Sequence, residues 1–348
     1  MYTSINTDYR NDEHNWFEIE SQIRSIAEAG FSHVQWIHDW YGEYLYSPSE
    51  MYQARDVLRE YGLTARTLHG SEGGERGYYE KGYWIPAPQL RCVRIRKDYT
   101  STNHYLRLAG VDLIKNRIDL CAIIGADTLV LHMQLPYMAF RKNPQDKIDY
   151  YNAVYRSFDE LQGYARAAGV RIAQENLFYT PNDEAEEKFD RLFNRYPEDY
   201  MGLCYDSGHA TLSWLDNYYF LLEKYNDRLF AVHLQDSDSI EPETLEKLRS
   251  ICERIPEEGI KIVPPEWADR LGSLLGYDKH RLPWTGGVLD WERIARGVAS
   301  APRLHLPADF EVVYREDCGQ EEAAWLREGR EKSLRFHEMV NRYKGKPV

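Results

Sequence analysis

Hydrophobic residues in this chain fall into two patterns that follow one another repeatedly along the sequence. Short continuous apolar runs are typical of strands buried on both faces of a parallel sheet, whereas apolar residues three or four positions apart are typical of amphipathic helices. Eight runs of the first kind predict strands at Tyr2–Asn6, His33–His38, Thr64–His69, Thr128–His132, Val170–Glu175, Met201–Asp206, Leu229–His233 and Ala308–Val313.

Segments of the second kind lie between these runs and predict eight helices. Four of them are followed by a glycine, the usual left-handed C-cap, and each of these glycines leads towards a strand. Eight alternating strands and helices without a break in composition predict an α/β fold, a single (β/α)8 barrel domain over residues 1–348. The helices are predicted at Trp16–Ala29, Ser49–Tyr61, His104–Ile124, Ile148–Ala168, Glu184–Arg195, Trp214–Tyr225, Trp291–Val298 and Glu321–Tyr343.

Two connections are much longer than simple turns: Gly70–Asn103 after the third strand and Gln235–Asp290 after the seventh. Both follow the carboxyl ends of strands, where the substrate loops of a barrel lie. We expect the first connection to be either a lid or a segment used for packing or for a homo-oligomer contact.

Composition narrows the functional classes. A net charge of −13 over 348 residues disfavours nucleic acid as a partner, because phosphate contacts need clustered Lys and Arg. The chain shows neither a signal-peptide pattern nor an apolar run that could cross a bilayer, so we expect a cytoplasmic protein without a membrane partner. Five cysteines without a Cys-x-x-Cys pair predict reduced thiols.

Five short apolar segments end in residue types that bind divalent metal ions: Thr128–His132, Val170–Glu175, Met201–Asp206, Leu229–His233 and Ala308–Glu311. In a parallel barrel the carboxyl ends of the strands share one rim, where active sites lie. These residues are therefore expected to converge. Together with their neighbours in the adjoining loops they give nine candidate metal ligands: His69, His132, Glu175, Asp206, His209, His233, Asp278, His280 and Glu311.

Several of these positions lie in ordered motifs. The chain contains Gln-Glu-Asn at 174–176, Tyr-Asp-Ser-Gly-His at 205–209, Val-His-Leu-Gln-Asp at 232–236, and Asp-Lys-His at 278–280 with Gly-Gly downstream at 286–287. From His69 to Glu311 the chain resembles the xylose isomerase-like TIM barrel superfamily. That superfamily includes sugar isomerases and epimerases and also endonuclease IV, which cleaves DNA at apurinic sites.

The resemblance implies a cofactor. In the sugar-processing members one divalent ion is held by residues matching Glu175, Asp206, His233 and Glu311, and in endonuclease IV three zinc ions are held by residues matching all nine positions. Three carboxylates with one imidazole suit Mn²⁺ or Mg²⁺, whereas a histidine-rich set suits Zn²⁺. We expect one divalent ion, and a site with up to three ions remains an alternative.

The resemblance also implies a metal-dependent isomerase or epimerase, or a related lyase, acting on a small keto sugar or sugar derivative. Glu175 and Glu311 would be the catalytic acid and base, moving a proton beside the carbonyl through an enediolate. The candidate substrate-binding residues are His69, His132, His209 and Trp36.

Other features leave the reaction open. The ketohexose epimerases of the superfamily carry a substrate-binding Arg and a Glu where this chain has Ser239 and Pro181. One alternative is an endonuclease IV-like phosphodiesterase, although the segment after His69 does not resemble an apolar wedge for abasic DNA. A non-catalytic, sugar-binding barrel is the other alternative. The aromatic residues Trp36, Trp40, Tyr78 and Trp84 are expected near the carboxyl-end face, some of them stacking on a sugar ring.

Overall fold

The computed structural model describes residues 2–10, 16–39, 43–71, 77–80, 83–86, 96–178, 180–212, 217–258, 260–265, 279–315 and 318–345. Within these residues, eight parallel strands form one sheet and two further strands form an antiparallel hairpin. In chain order the strands are β1 Ser4–Asn6, β2 His33–Trp36, β3 Thr64–Ser71, β4 Gly77–Glu80, β5 Tyr83–Pro86, β6 Thr128–Leu131, β7 Arg171–Glu175, β8 Met201–Asp206, β9 Leu229–His233 and β10 Asp309–Phe310.

The sheet has the strand order β10-β1-β2-β3-β6-β7-β8-β9. Its two outer strands meet where Leu234, just after β9, pairs in parallel with Phe310 of β10. The amide of Leu234 donates to the carbonyl of Asp309 at 2.9 Å, and the amide of Glu311 donates to the carbonyl of Leu234 at 3.4 Å. The predicted TIM barrel is therefore confirmed, with all eight predicted strands present.

Helices cover the outside of the barrel. A parallel strand can return to the same sheet only through a crossover, and here helices supply most crossovers. They are α1 Trp16–Glu28, α2 Pro48–Glu60, α3 His104–Ile124, α4 Tyr137–Lys142, α5 Pro144–Ala167, α6 Asn182–Arg195, α7 Ser207–Thr211, α8 Phe220–Lys224, α9 Pro242–Glu258, α10 Trp291–Ser300 and α11 Glu322–Tyr343. Among the residues that the structure describes, no helix is both long and apolar enough to cross a membrane.

Local sequence explains where the helices differ from prediction. Helix α5 begins at Pro144, four residues before the predicted start, because Asn143 caps it and proline suits the first helical turn. The predicted helix Trp214–Tyr225 is wrong in its bounds. A one-turn helix, α7, begins directly after β8 because Asp206 caps it, and α8 begins only at Phe220.

The two long connections contain secondary structure that the periodicity did not predict. The hairpin β4–β5 lies in the first, and α9 lies in the second. Both follow carboxyl ends of barrel strands, as expected. A role as a lid or an oligomer contact stays a prediction.

Side chains alternate along each strand, so every second residue points into the barrel. Val130, Ala173, Cys204 and Ala231 belong to a small apolar cluster that is separate from the larger core between sheet and helices. Two residues further along three of these strands lie Glu175, Asp206 and His233. Strand alternation thus places these polar residues on the inward-facing side, at the carboxyl end of the apolar layer.

Candidate metal centre

The carboxylate of Glu175, the last residue of β7, lies at the centre of a buried cluster of histidines. Its Oε2 lies 3.2 Å from His69 Nε2, 3.1 Å from His132 Nε2 and 3.2 Å from His233 Nδ1. All four side chains are 2% exposed or less. Strand ends that are far apart in sequence therefore meet around one carboxylate.

Two further acidic residues complete one side of this cluster. Glu311, which follows β10, places Oε2 2.5 Å from His233 Nδ1, and Asp206 ends β8. Donor atoms of Glu175, Asp206, His233 and Glu311 all lie within 4.8 Å of one another. The structure brings together the four residues that the sequence predicts as ligands of one ion.

His209 reaches the cluster through a short helix. The Asp206 side chain accepts a 2.6 Å hydrogen bond from the His209 amide, so the metal-ligand candidate is also the N-cap of α7. His209 Nδ1 lies 3.0 Å from Glu175 Oε1, and its ring packs edge-on against Phe178. The hydrogen bond that caps α7 therefore also fixes Asp206 and His209 relative to each other at the site.

Gln235 connects this site to the loop that carries His280. Its Nε2 donates to both oxygens of Asp206, at 3.2 and 3.1 Å, and its Oε1 accepts the amide of His280 at 3.0 Å. The His280 ring lies 6.2 Å from that of His209, centroid to centroid. The loop therefore brings His280 to the rim, as expected, whereas Asp278 lies outside the described residues.

The cluster perturbs the acidity of its members. Burial opposes ionisation of Glu175, but the neighbouring His233 and His132 outweigh it and hold its pKa well below the usual range. Burial likewise opposes charging of His233, yet the surrounding Cys204, Glu311 and Glu175 raise its pKa well above 6.5. Burial raises the pKa of Asp206 to about 6. Strong coupling between carboxylates and imidazoles is expected of a functional site.

The donor set fits a divalent cation. Glu175 Oε1, His233 Nδ1 and Glu311 Oε2 are buried and make no well-aligned hydrogen bond within the described part of the chain. Buried polar atoms are nearly always satisfied, so each of these atoms needs an explanation. Three carboxylates and an imidazole with converging lone pairs are the ligands that Mn²⁺, Mg²⁺ or Zn²⁺ would take.

Of the four aromatic residues predicted near the carboxyl-end face, the structure describes the side chain of Trp36. Trp36 is fully buried, its ring packs edge-on against His38, and its Nε1 lies 3.5 Å from the hydroxyl of Tyr46. These contacts describe a core residue, and its role in binding substrate stays a prediction. Trp40 and the side chains of Tyr78 and Trp84 lie outside the part of the chain that the structure describes.

Two glutamines contact the cluster but were not among the predicted site residues. Gln235 supports Asp206, and the side chain of Gln35 on β2 lies 2.8 Å from His233 Nε2. A signal for Gln35 was present, because it is a polar residue inside an otherwise apolar run, Val34–Ile37. The partner of such a residue depends on the closure of the barrel, which the sequence pattern does not reveal.

Comparison with known proteins agrees with this architecture. Uncharacterized protein y4fM of Sinorhizobium fredii is 29% identical over 342 residues, which are 98% of this chain and 96% of that protein. Inosose dehydratase of Bacillus velezensis is 26% identical over 175 residues, covering 45% of this chain and 57% of that enzyme. The first similarity extends over nearly the whole chain, and the second over less than half.

Solved structures share the fold. A D-psicose 3-epimerase, crystallised in the presence of D-fructose, superposes with a TM-score of 0.58 at 15% identity, covering 98% of this chain and 99% of the other. A xylose isomerase-like TIM barrel protein from Mycobacterium smegmatis, in complex with magnesium, gives a TM-score of 0.58 at 14% identity, with 98% and 97% covered. A family model described as xylose isomerase-like TIM barrel matches residues 23–332. The chain therefore belongs to the xylose isomerase-like TIM barrel family.

Proposed function

We propose that this protein is a metal-dependent enzyme that isomerises or epimerises a small keto sugar or sugar derivative. The observation that carries the proposal is the convergence of Glu175, Asp206, His233 and Glu311 within 4.8 Å at the carboxyl rim of the barrel. A divalent ion bound there would polarise the substrate carbonyl and so acidify the adjacent C–H bond.

The carboxylates of Glu175 and Glu311 are the groups that would move the proton. Glu175 ends β7 and Glu311 follows β10, so the two residues reach the site from strands on different sides of His233. Burial opposes ionisation of Glu175, but His233 and His132 hold its pKa low, so it is in the ionised form that a general base requires. One carboxylate would remove a proton from the sugar carbon and the other would return it.

Two histidines are suited to hold substrate hydroxyl groups. His209 contacts Oε1 of Glu175, with its ring 6.2 Å from that of His280, and His132 contacts Oε2, with its ring 6.4 Å from that of His209. Imidazole nitrogens can donate to or accept from a hydroxyl. A polyol bound between these residues would place its carbonyl-bearing carbons beside the two carboxylates.

The relatives support this reaction class and add a variant of it. Epimerases among the solved structures share the fold, and a similar enzyme is named inosose dehydratase. Removal of a proton beside a carbonyl is common to epimerisation and to loss of a β-hydroxyl group. The same carboxylate pair would therefore serve a lyase if the leaving hydroxyl lies next to the abstracted proton.

The proposal is tested by proton exchange in deuterated water. The protein, supplied with Mn²⁺, is incubated with a panel of ketoses and inososes, and NMR follows deuterium at the carbon beside the carbonyl. Metal-dependent deuterium uptake with a stereoisomeric or isomeric product supports the proposal, and loss of water identifies the lyase variant. Absence of exchange across the panel, with metal bound, would contradict it.

A zinc-dependent phosphodiesterase acting at abasic sites is the second candidate, favoured by one observation. Both His69 Nε2 and His132 Nε2 face the same oxygen of Glu175, which gives this carboxylate two imidazole neighbours beyond the four-residue set. These two histidines would supply the further nitrogen ligands that additional zinc ions need. Three zinc ions per chain, with incision of an abasic duplex at low salt and no sugar exchange, would favour this candidate.

A further inference from the structure

Gln35 makes a contact that the proposed reaction does not explain. It is the third residue of β2, and its side-chain Nε2 lies 2.8 Å from Nε2 of His233, on a strand 198 residues away. Both side chains are fully buried. The other ring nitrogen of His233, Nδ1, faces Glu175 and Glu311 at 3.2 and 2.5 Å. One side of this imidazole therefore faces the candidate ligands and the other faces an amide.

A neutral imidazole can bind a cation through Nδ1 only if its proton is on Nε2. That proton then needs an acceptor, and in metal sites the remaining N–H of a ligating histidine is almost always hydrogen-bonded, which fixes both tautomer and ring orientation. Among the described residues, Gln35 is the side chain in hydrogen-bonding contact with His233 Nε2. This amide is therefore placed to supply the acceptor.

The amide has an oxygen to offer. Gln35 Oε1 is buried and makes no hydrogen bond within the described residues, while Nε2 is turned towards the ring. With Nε2 donating, the proton of a neutral His233 would have to be on Nδ1, where it blocks ligation. A half-turn about the last side-chain bond exchanges the nearly isosteric oxygen and nitrogen and turns the acceptor to the ring.

The backbone at this position is adjusted to present the side chain. The register between β2 and β3 shifts between Val34 and Gln35, so that Gln35 pairs with Thr67 and not with Arg66. Such irregularities redirect a side chain and recur next to active sites. The carbonyl of Gln35 also accepts the amide of Thr7 at 2.9 Å, which fixes the strand on its other side.

We propose that Gln35 is a positioning residue of the metal centre: its carbonyl oxygen accepts the Nε2 proton of His233 and holds the ring in the tautomer that ligates through Nδ1. The inference rests on the metal site of the proposed function. It adds the residue that determines which atom of His233 is the ligand.

The test measures Mn²⁺ affinity by calorimetric titration of the metal-stripped protein and three variants. Gln35→Met keeps a similar length but removes the acceptor, Gln35→Glu keeps an acceptor, and Gln22→Met removes a fully buried amide from α1, away from the barrel interior. We expect Gln35→Met to weaken Mn²⁺ binding on the order of 10- to 100-fold. The Gln22→Met variant should bind Mn²⁺ as the wild type does. The Gln35→Glu variant should bind Mn²⁺ as tightly as the wild type or more tightly.

A second readout uses the unchanged protein loaded with Zn²⁺. A two-bond ¹H–¹⁵N correlation spectrum should show His233 protonated at Nε2. A proton on Nδ1 of His233 in the loaded protein would overturn the inference, even if Gln35→Met did not fold.

The outcomes separate this inference from the function on which it rests. If the wild type binds no Mn²⁺, the proposed function fails and the role of Gln35 falls with it. If the wild type binds Mn²⁺ and a folded Gln35→Met variant binds it equally well, only the inference is wrong. Equal weakening in the Met and Glu variants would show a packing effect and would also overturn it.

Discussion

At the amino end of the barrel strands the Asp127 carboxylate pairs with two arginines and a histidine, whereas at the carboxyl end the ion pairs of the Glu175 carboxylate are with histidines. Asp127 pairs with Arg66 at 2.8 Å, with His305 at 3.0 Å and with Arg171 at 3.8 Å. The ion pairs of Glu175, in the part of the chain that the structure describes, are with His69, His132, His209 and His233.

The two ends therefore balance charge in different ways. Permanently charged guanidinium groups compensate the charge of Asp127, so no ion from solution is needed to balance it. Glu175, Asp206 and Glu311 instead face imidazoles, which can be neutral, and the buried ammonium of Lys188, which donates to the Glu175 carbonyl at 2.9 Å and whose pKa burial lowers to about 7. Buried charge without compensation is costly, and a divalent cation would remove that cost. We therefore expect the amino end to contribute stability and the carboxyl end to bind an ion.

Replacing Glu175 with Gln should have the largest effect. The amide cannot accept the substrate proton, so turnover on a substrate identified by deuterium exchange should fall by about 10³-fold or more. The circular dichroism spectrum should not change, because the barrel core lies beneath the rim. The matched control is Asp127→Asn at the other end, which should keep turnover. Equal turnover of Glu175→Gln and the wild type would contradict the assignment of the base.

Binding of a divalent ion should raise the free energy of unfolding of the wild type by more than a substitution on the surface would. An ion that binds only the folded state contributes about 2.7 kcal/mol when its concentration is 100 times Kd. Thermal unfolding with and without Mn²⁺ measures this as a rise in Tm. Glu311→Gln should show little or no rise, and Asp127→Asn should show the full rise. A similar rise in both variants would place the ion elsewhere.

The amino-end pair should contribute stability that depends on pH. Burial opposes ionisation of Asp127, but hydrogen bonds from His305 and Thr128 and the charge of Arg171 lower its pKa to about 2. Because the folded pKa lies below the unfolded value, this stability is present above about pH 4 and is lost as pH falls towards 2. Asp127→Asn should cost roughly 2 kcal/mol at neutral pH and much less near pH 2, measured by urea unfolding.

A smaller effect is expected from Gly208→Ala. An added Cβ would lie 2.5 Å from Oε1 of Gln235, so the amide that holds Asp206 and the loop at His280 must shift. Metal affinity should fall about 10-fold, as it does for other substitutions that disturb a residue hydrogen-bonded to a metal ligand. Gly163→Ala on α5 is the control, because its Cβ would meet nothing within 4 Å. That variant should be unchanged or stabilised by about 0.5–1 kcal/mol. Unchanged affinity in Gly208→Ala would show that Gln235 does not support the site.

Much of this arrangement follows from the sequence. Apolar runs that end in ligand residue types predict both the strands and the rim, since strand ends in a parallel barrel have one common location. Glu175, Asp206 and His233 are each the last residue of a strand in the structure, as the runs predict. Predicting such positions requires only the local residue pattern and the fold class.

Other features depend on contacts between distant segments. Gln35 meets His233 only because closure of the barrel brings β9 within two strands, β10 and β1, of β2, and the register shift at Val34 cannot be seen in the residue pattern. The hairpin β4–β5 and helix α9 lie in two connections that the alternation of strands and helices predicts only as long loops. Trp36 is of a residue type that often stacks on sugar rings, but in the structure its side chain contacts His38 and Tyr46.

Anomalous diffraction tests the central claim most directly. A crystal of the wild-type protein soaked in Mn²⁺ and measured at the manganese edge should show one strong peak among Glu175, Asp206, His233 and Glu311, and none beside Asp127. The same soak of Glu175→Gln should weaken or remove that peak. A wild-type map without a peak at the carboxyl rim, at a Mn²⁺ concentration that supports full activity, would contradict the account.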